Sequence, residues 1–383
     1  MQPKIPSAPQ RLAFIDVLRG WAALWMIETH TVNEYLNPIF KVGFPFSWLN
    51  ISNGFVSVVF IFCAGAGFWL ALERKHDDYR QLGQGFRTYV LRLLFVLGIA
   101  YLLQTPKFSL ARTLSSTPED ILRLLQCNVL HLIVLCSFAA LASAVFIKRK
   151  HFLKLLFSSI ALIVIPLTPA MRSFDPFAVM PTFPATLFAG QPVSLFPLFP
   201  WSAYFFAGAA ATAFFREAQD KIRLARITAA ASVCIIVLIF TLKDGLHIYS
   251  YQAQWWSISP EHTLFRIAGA LLLFSGLFLI EPLLGGRAGR LLKTAGQESL
   301  YIYVLQGIII YGTIGKYHLY DFIGKDLTPF EIFIPITAIM IFCQSTAMLW
   351  HTVKRKYPAN SRKYARIATT VTLILFVILP PKF

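Results

Sequence analysis

Eleven apolar runs, separated by short segments alternately rich and poor in basic residues, are the feature that most restricts this chain. The runs cover approximately 13–35, 53–73, 88–104, 124–147, 152–169, 196–215, 227–242, 262–281, 298–314, 331–353 and 365–380. A helical bilayer crossing takes about 20 apolar residues. Lipid offers no partner to backbone N–H and C=O groups, so such runs must be helices and not open strands. The expected fold is all-α: a polytopic transmembrane bundle of about eleven helices, forming one domain over residues 1–383. Composition agrees. The chain is 56% hydrophobic and 14% charged, too little charge to cover a soluble surface of this size.

The connecting segments set the orientation. Dense clusters are Arg74, Lys75, Arg80 and Arg87; Lys148, Arg149, Lys150 and Lys154; Arg216, Lys221, Arg223 and Arg226; Arg287, Arg290 and Lys293; and Lys354, Arg355, Lys356, Arg362, Lys363 and Arg366. Between them lie only Lys41; Lys107 and Arg112; Arg172; Lys243; and Lys316 and Lys325. By the positive-inside rule the dense side is cytoplasmic, with the N-terminus on that side and the C-terminus outside. The net charge of +17 therefore reads as a topology signal, and no nucleic-acid-binding motif accompanies it. The first run contains Asp16 and Arg19 and lacks a small-residue cleavage site, so an uncleaved first helix is expected. The longest outer loop, about 170–195, is rich in Pro and Phe and could fold back over the membrane surface as a lid. Cys63, Cys127, Cys136, Cys234 and Cys343 all lie in apolar runs without CxxC or zinc-ligand spacing. They are expected to be small buried thiols, and no metal is expected.

Charged side chains inside a membrane helix are expensive and mark functional candidates. The first helix, FIDVLRGWAALWMIETHTVNEYL, holds Asp16, Arg19, Glu28 and His30. Arg19 and His30 are eleven residues apart, within about 20° of one helix face and roughly 16 Å apart along the axis. Asp16 is three residues before Arg19, close enough to pair with it. Glu28 projects from nearly the opposite face. Singly, a membrane histidine is a packing group and an Asp–Arg pair is structural; three such groups on one face point to chemistry. Imidazole suits general-base or acyl-carrier work because it titrates near neutrality. Further polar groups in apolar surroundings are Arg92, Gln126, Asn128, His131, Arg266 and Gln306. Arg87 and Arg92 are placed to meet phosphates on the cytoplasmic side, or to anchor the helix there. The small residues of CAGAGFWLA (63–71) and FFAGAAATA (205–213) allow close helix approach.

The stretch RLAFIDVLRGWAALWMIETHTVNEYL resembles the opening of bacterial relatives of heparan-alpha-glucosaminide N-acetyltransferase, which share its Ile-Asp-x-x-Arg-Gly core and a histidine at the far end of the first helix. The resemblance continues at 55–71, 121–135, 195–209 and 296–311. The Arg19-x10-His30 spacing is also similar to the signature of family-three membrane acyltransferases. It implies a protein of the bacterial cytoplasmic membrane, surrounded by lipid, that takes an acyl group from cytoplasmic acetyl-CoA and transfers it to a glycan on the other side. On that reading Asp16, Arg19 and His30 form the catalytic set. Arg19, Arg87 and Arg92 hold the CoA phosphates or the pantetheine entrance. Glu28, Gln126, Asn128, His131 and Gln306 contact the acceptor. One departure stands out: Gln306 occupies a position where many relatives carry His. The same polar column would also suit a proton relay in a transporter or flippase, although no inverted repeat accompanies it, and self-association into a homo-oligomer stays open.

The alternating basic loops make the orientation testable. A cysteine introduced near residue 150 should react with membrane-impermeant reagents only from the cytoplasmic side, and one near residue 185 only from outside. The reverse pattern would invert the topology.

Overall fold

The computed structural model describes residues 12–242, 258–312 and 319–379. Sixteen α-helices form there, and the only strand-like pairing is a single parallel bridge between Leu36 and Leu327. In chain order they are α1 (Ala13–Tyr35), α2 (Phe44–Arg80), α3 (Gln84–Gln104), α4 (Leu110–Leu114), α5 (Pro118–Leu125), α6 (Val129–Phe146), α7 (Lys150–Ser173) and α8 (Thr182–Phe188). Then follow α9 (Leu198–Glu217), α10 (Lys221–Leu242), α11 (Pro260–Leu279), α12 (Arg287–Gln297), α13 (Ser299–Tyr311), α14 (Tyr320–Ile323), α15 (Phe333–Lys356) and α16 (Pro358–Ile378).

Among the described residues, each expected apolar run overlaps a helix. Eight helices, α2, α3, α6, α7, α9, α10, α11 and α15, are long and apolar enough to cross a membrane. Every 18-residue stretch of α1 and of α16 holds three charged residues, and α13 has only 13 residues. Among the described residues, length and composition alone thus establish eight such helices and do not by themselves establish the expected eleven. Some boundaries moved for local reasons. α6 begins at Val129 because the Asn128 side chain caps it, accepting from the backbone N–H of Leu130 and His131. α13 stops where Gly312 adopts the left-handed conformation at φ 58°. α2 extends back to Phe44 and changes direction at Lys75.

The packing places α1 at the centre, against α2, α11, α12, α13 and α15. Phe14, Ile15, Leu18 and Ala22 join an aromatic-rich core built with α2, α6, α7, α9 and α11. Ala23, Ile27, Val32 and Tyr35 join a second core with α12, α13 and α15. α2 and α9 approach closely, through the small-residue stretches expected to allow it: a Cβ added to Gly65 would strike the Phe205 carbonyl, and one on Gly208 the Phe62 carbonyl. The loop over 170–195, expected on the outer side, packs against the helices. Thr186 donates to the Leu125 carbonyl at 2.9 Å, and Ser194 accepts from the Cys127 backbone N–H at 3.0 Å, joining the loop to the α5–α6 junction. Four cysteines are buried as expected; Cys234 is exposed on α10.

Gly208→Val therefore forces α2 and α9 apart. Overpacking of this kind costs about 1–3 kcal/mol. Gly67→Val, where an added Cβ meets nothing within 4 Å, should be near neutral. Thermal unfolding in detergent separates the two, and equal midpoints would show that the helices can give way.

Candidate functional site

The polar column begins at Asp16, in the first turn of α1 and 3% exposed. Its Oδ1 accepts from Arg19 Nη2 at 3.0 Å and its Oδ2 from Gln297 Nε2 at 3.2 Å. A carboxylate inside an apolar bundle persists only when its oxygens are satisfied in this way. Gln297 reaches it because α1 and α12 meet backbone to backbone. A Cβ on Gly20 would overlap the Leu292 carbonyl, and one on Gly296 the Asp16 carbonyl. Arg19 keeps a buried Nε with no acceptor among the described residues, so its guanidinium retains a donor beyond the Asp16 pair.

His30 lies about 16 Å further along the same face. Its Nδ1 is 3.0 Å from Gln306 Oε1, and Gln306, 1% exposed, donates its Nε2 to the Tyr303 carbonyl at 3.1 Å. That second bond orients the amide, so its oxygen faces the imidazole. A carbonyl oxygen only accepts, so the neutral imidazole carries its hydrogen on Nδ1 and leaves Nε2 as an acceptor. The Tyr311 ring lies 5.5 Å from the His30 ring. Thus Gln306, the departure from the resembling sequences, is the residue that fixes the His30 tautomer.

Glu28 turns the other way, as its angular offset predicts. It accepts from Asn53 Nδ2 at 3.4 Å, and Asn53 Oδ1 accepts from Trp25 Nε1 at 2.9 Å. Sequence reasoning missed Asn53, Gln297, Gly20 and Gly296 as partners. Their signal was weak: a polar residue at the edge of an apolar run, an amide beside GQESL, and glycines whose neighbours are remote in sequence. Arg266 donates to His262 Nε2 at 2.7 Å and to the Gly54 carbonyl, bringing a second buried cation to the residue beside Asn53.

The remaining expected residues lie elsewhere. α3 packs against α2, α5 and α6, and Arg87 and Arg92 are both exposed on it; neither is brought to Arg19. Asn128 caps α6, while the His131 ring stacks edge-on against Tyr101 at 4.5 Å and its Nδ1 accepts from the Asn128 backbone N–H at 3.5 Å. Gln126 ends α5, and its carbonyl accepts from Gln104 Nε2 at 3.0 Å. α6 packs on α2, α3 and α9.

The outer end of α1 is clasped by the segment after α14. The Leu327 N–H donates to the Tyr35 carbonyl at 3.1 Å, its carbonyl accepts from Asn37 at 3.0 Å, and Lys325 pairs with Glu34 at 2.7 Å. The hydrogen bond that Lys325 donates to Glu34 holds its ammonium above the ordinary pKa.

A multi-pass helical membrane protein with a buried Asp paired to a half-buried Arg at one end of a central helix and a tautomer-fixed histidine at the other is what fold and site define together. The family model described as "Heparan-alpha-glucosaminide N-acetyltransferase, catalytic" matches residues 11–253. The chain belongs to that family, one of membrane acetyltransferases. No curated protein matches it. The matched region spans α1 to α10, so Gln297 and Gln306 come from beyond it.

The Asp16 network yields a stability test. Asp16→Ala leaves Arg19 uncompensated and should cost about 1–3 kcal/mol. Asp16→Ala with Arg19→Leu should cost less than the two single changes summed. Strict additivity of the thermal midpoints would mean that the pair does not act as a unit.

Proposed function

We propose that this protein moves an acetyl group from acetyl-CoA on the cytoplasmic side to a hydroxyl or amine of a sugar or glycan at the outer side. The observation that carries the reading is the His30–Gln306 pair. An imidazole with Nδ1–H engaged and Nε2 free is a general base held in one orientation. As the acceptor oxygen or nitrogen adds to the thioester carbonyl, His30 Nε2 takes its proton. The carbon–sulfur bond then breaks, and the proton passes to the departing thiolate. Arg19, held by Asp16 near the opposite end of α1, supplies positive charge and a spare donor for the donor's anionic end. Pantetheine is long and thin enough to carry a thioester along the face between them.

Loss of a positioned base costs about 10²–10⁴ in rate. His30→Gln keeps size and hydrogen bonding but cannot take up the proton. It should abolish acetyl transfer while leaving acetyl-CoA affinity within a few fold. Arg19→Ala should do the converse, weakening acetyl-CoA binding by about 1.5–3 kcal/mol. Near-wild-type turnover in His30→Gln would reduce the histidine to a packing group. If the wild-type chain shows no acetyl-CoA binding by calorimetry at millimolar ligand, the donor assignment fails and the column is better read as a transport relay.

A further inference from the structure

A groove of about 290 Å³ lies between α9, α10 and α11, and none of the polar-column residues lines it. Its walls are apolar: Ala207, Ala211 and Phe214 from α9, Leu224 from α10, and Leu271 and Phe274 from α11 are among the residues that line it. Alanines at 207 and 211 leave space where larger side chains would fill it. An unfilled apolar groove forfeits dispersion contacts on both sides. Its depth is set by the short turn between Glu217, the end of α9, and Lys221, the start of α10. Ala207 is ten residues before Glu217 and Thr228 seven after Lys221, so the whole groove lies within roughly 15 Å of that turn. That is the reach of one leaflet.

The turn belongs to a dense basic cluster. Lys221 precedes Leu224 and Ala225 by three and four residues and therefore stands over the groove on the same helix face. Arg223 and Arg226 beside it are exposed. At the α9 rim the Lys154 ammonium, 4.7 Å from the centre of the Phe214 ring, is already paired with Glu217, so among the described residues the unpaired cations at the mouth are those of α10. The floor is an aromatic cluster: Phe215 and Phe274 rings are 5.6 Å apart, and Phe14 lies 5.6 Å from the first and 4.9 Å from the second. Phe14 is two residues before Asp16, so whatever fills the groove presses on the rings that seat the root of α1.

We propose that this groove is a binding site for an anionic phospholipid of the leaflet on the basic side, with one acyl chain between α9 and α10 and the headgroup phosphate at Lys221. Charge complementarity selects the occupant. A zwitterionic lipid would match the apolar walls but gain little from the cationic mouth, whereas an anionic lipid satisfies both. The inference is independent of the acetyltransfer reading.

The test uses the full-length protein in detergent micelles, with retained lipid counted by native mass spectrometry. Dioleoyl phosphatidylglycerol is titrated against dioleoyl phosphatidylcholine. Wild type should retain the anionic lipid preferentially. Lys221→Glu should weaken that retention roughly tenfold or more. Ala211→Leu and Ala211→Trp should fill the groove and displace the lipid while the protein elutes as a single folded species. Should the tryptophan variant fail to fold, Ala211→Leu and Lys221→Glu decide. Equal retention of the two lipids by wild type, or unchanged retention in Ala211→Leu, overturns the proposal.

Discussion

The contact between α1 and α12 is the constraint on which the candidate site depends. A carboxylate within an apolar bundle is costly unless every oxygen finds a donor. Asp16 meets that demand with one donor from its own helix and one from Gln297. The second is available only because Gly20 and Gly296 let the two backbones touch. The residue after Gln297 ties the same junction in the other direction. Glu298, 4% exposed, accepts from His351 at 2.9 Å and Lys354 at 2.6 Å on α15. Two adjacent side chains thus hook the start of α13 to α1 on one side and to α15 on the other. α13 rises from that fixed point, and Gln306 on it arrives at His30. The tautomer at the outer end of the column is therefore set by packing at its inner end.

Much of this was legible in the sequence, for reasons that can be named. The apolar runs located every long helix because lipid enforces helical backbone. The angular separation of Arg19, Glu28 and His30 followed from helix geometry alone, and the structure sends Glu28 to α2 and His30 to α13 accordingly. What could not be read was pairing across distance. His30 and Gln306 are 276 residues apart, and nothing along the chain states which amide meets which imidazole. Arg87 and Arg92 show the complementary difficulty. The sequence marks them as cations near a membrane surface but does not say that α3 is peripheral and leaves both exposed. Asn128 and His131 are expected at the acceptor, and the geometry gives them a capping role.

The division between the matched and unmatched parts of the chain has a physical meaning. The family match ends within the segment after α10, yet the column on α1 is completed by α12, α13 and the segment that clasps Tyr35 and Asn37. α1 is shared by two hydrophobic cores, one built mainly with the matched helices and the other with α12, α13 and α15. A helix carrying three charges per 18 residues is poorly retained by lipid alone. Surrounded by five helices, it presents those charges to partners instead.

Glutamine at 306, where the resemblance leads one to expect histidine, then acquires a chemical sense. A histidine at that position could accept or relay a proton, and the pair would titrate as a coupled unit. An amide does neither at any accessible pH. It fixes the imidazole through one hydrogen bond and adds no charge. Its own nitrogen is held by the Tyr303 carbonyl within the same helix, so it cannot rotate to offer a donor without breaking that bond. On the proposed reading, a proton taken at Nε2 therefore has no onward route through Gln306. It must stay on the imidazole until it is returned on the same face, toward the groups that delivered it. Such an arrangement suits a transfer in which one proton is borrowed and given back. It does not suit a conduction path, which needs titratable groups on both sides of the histidine.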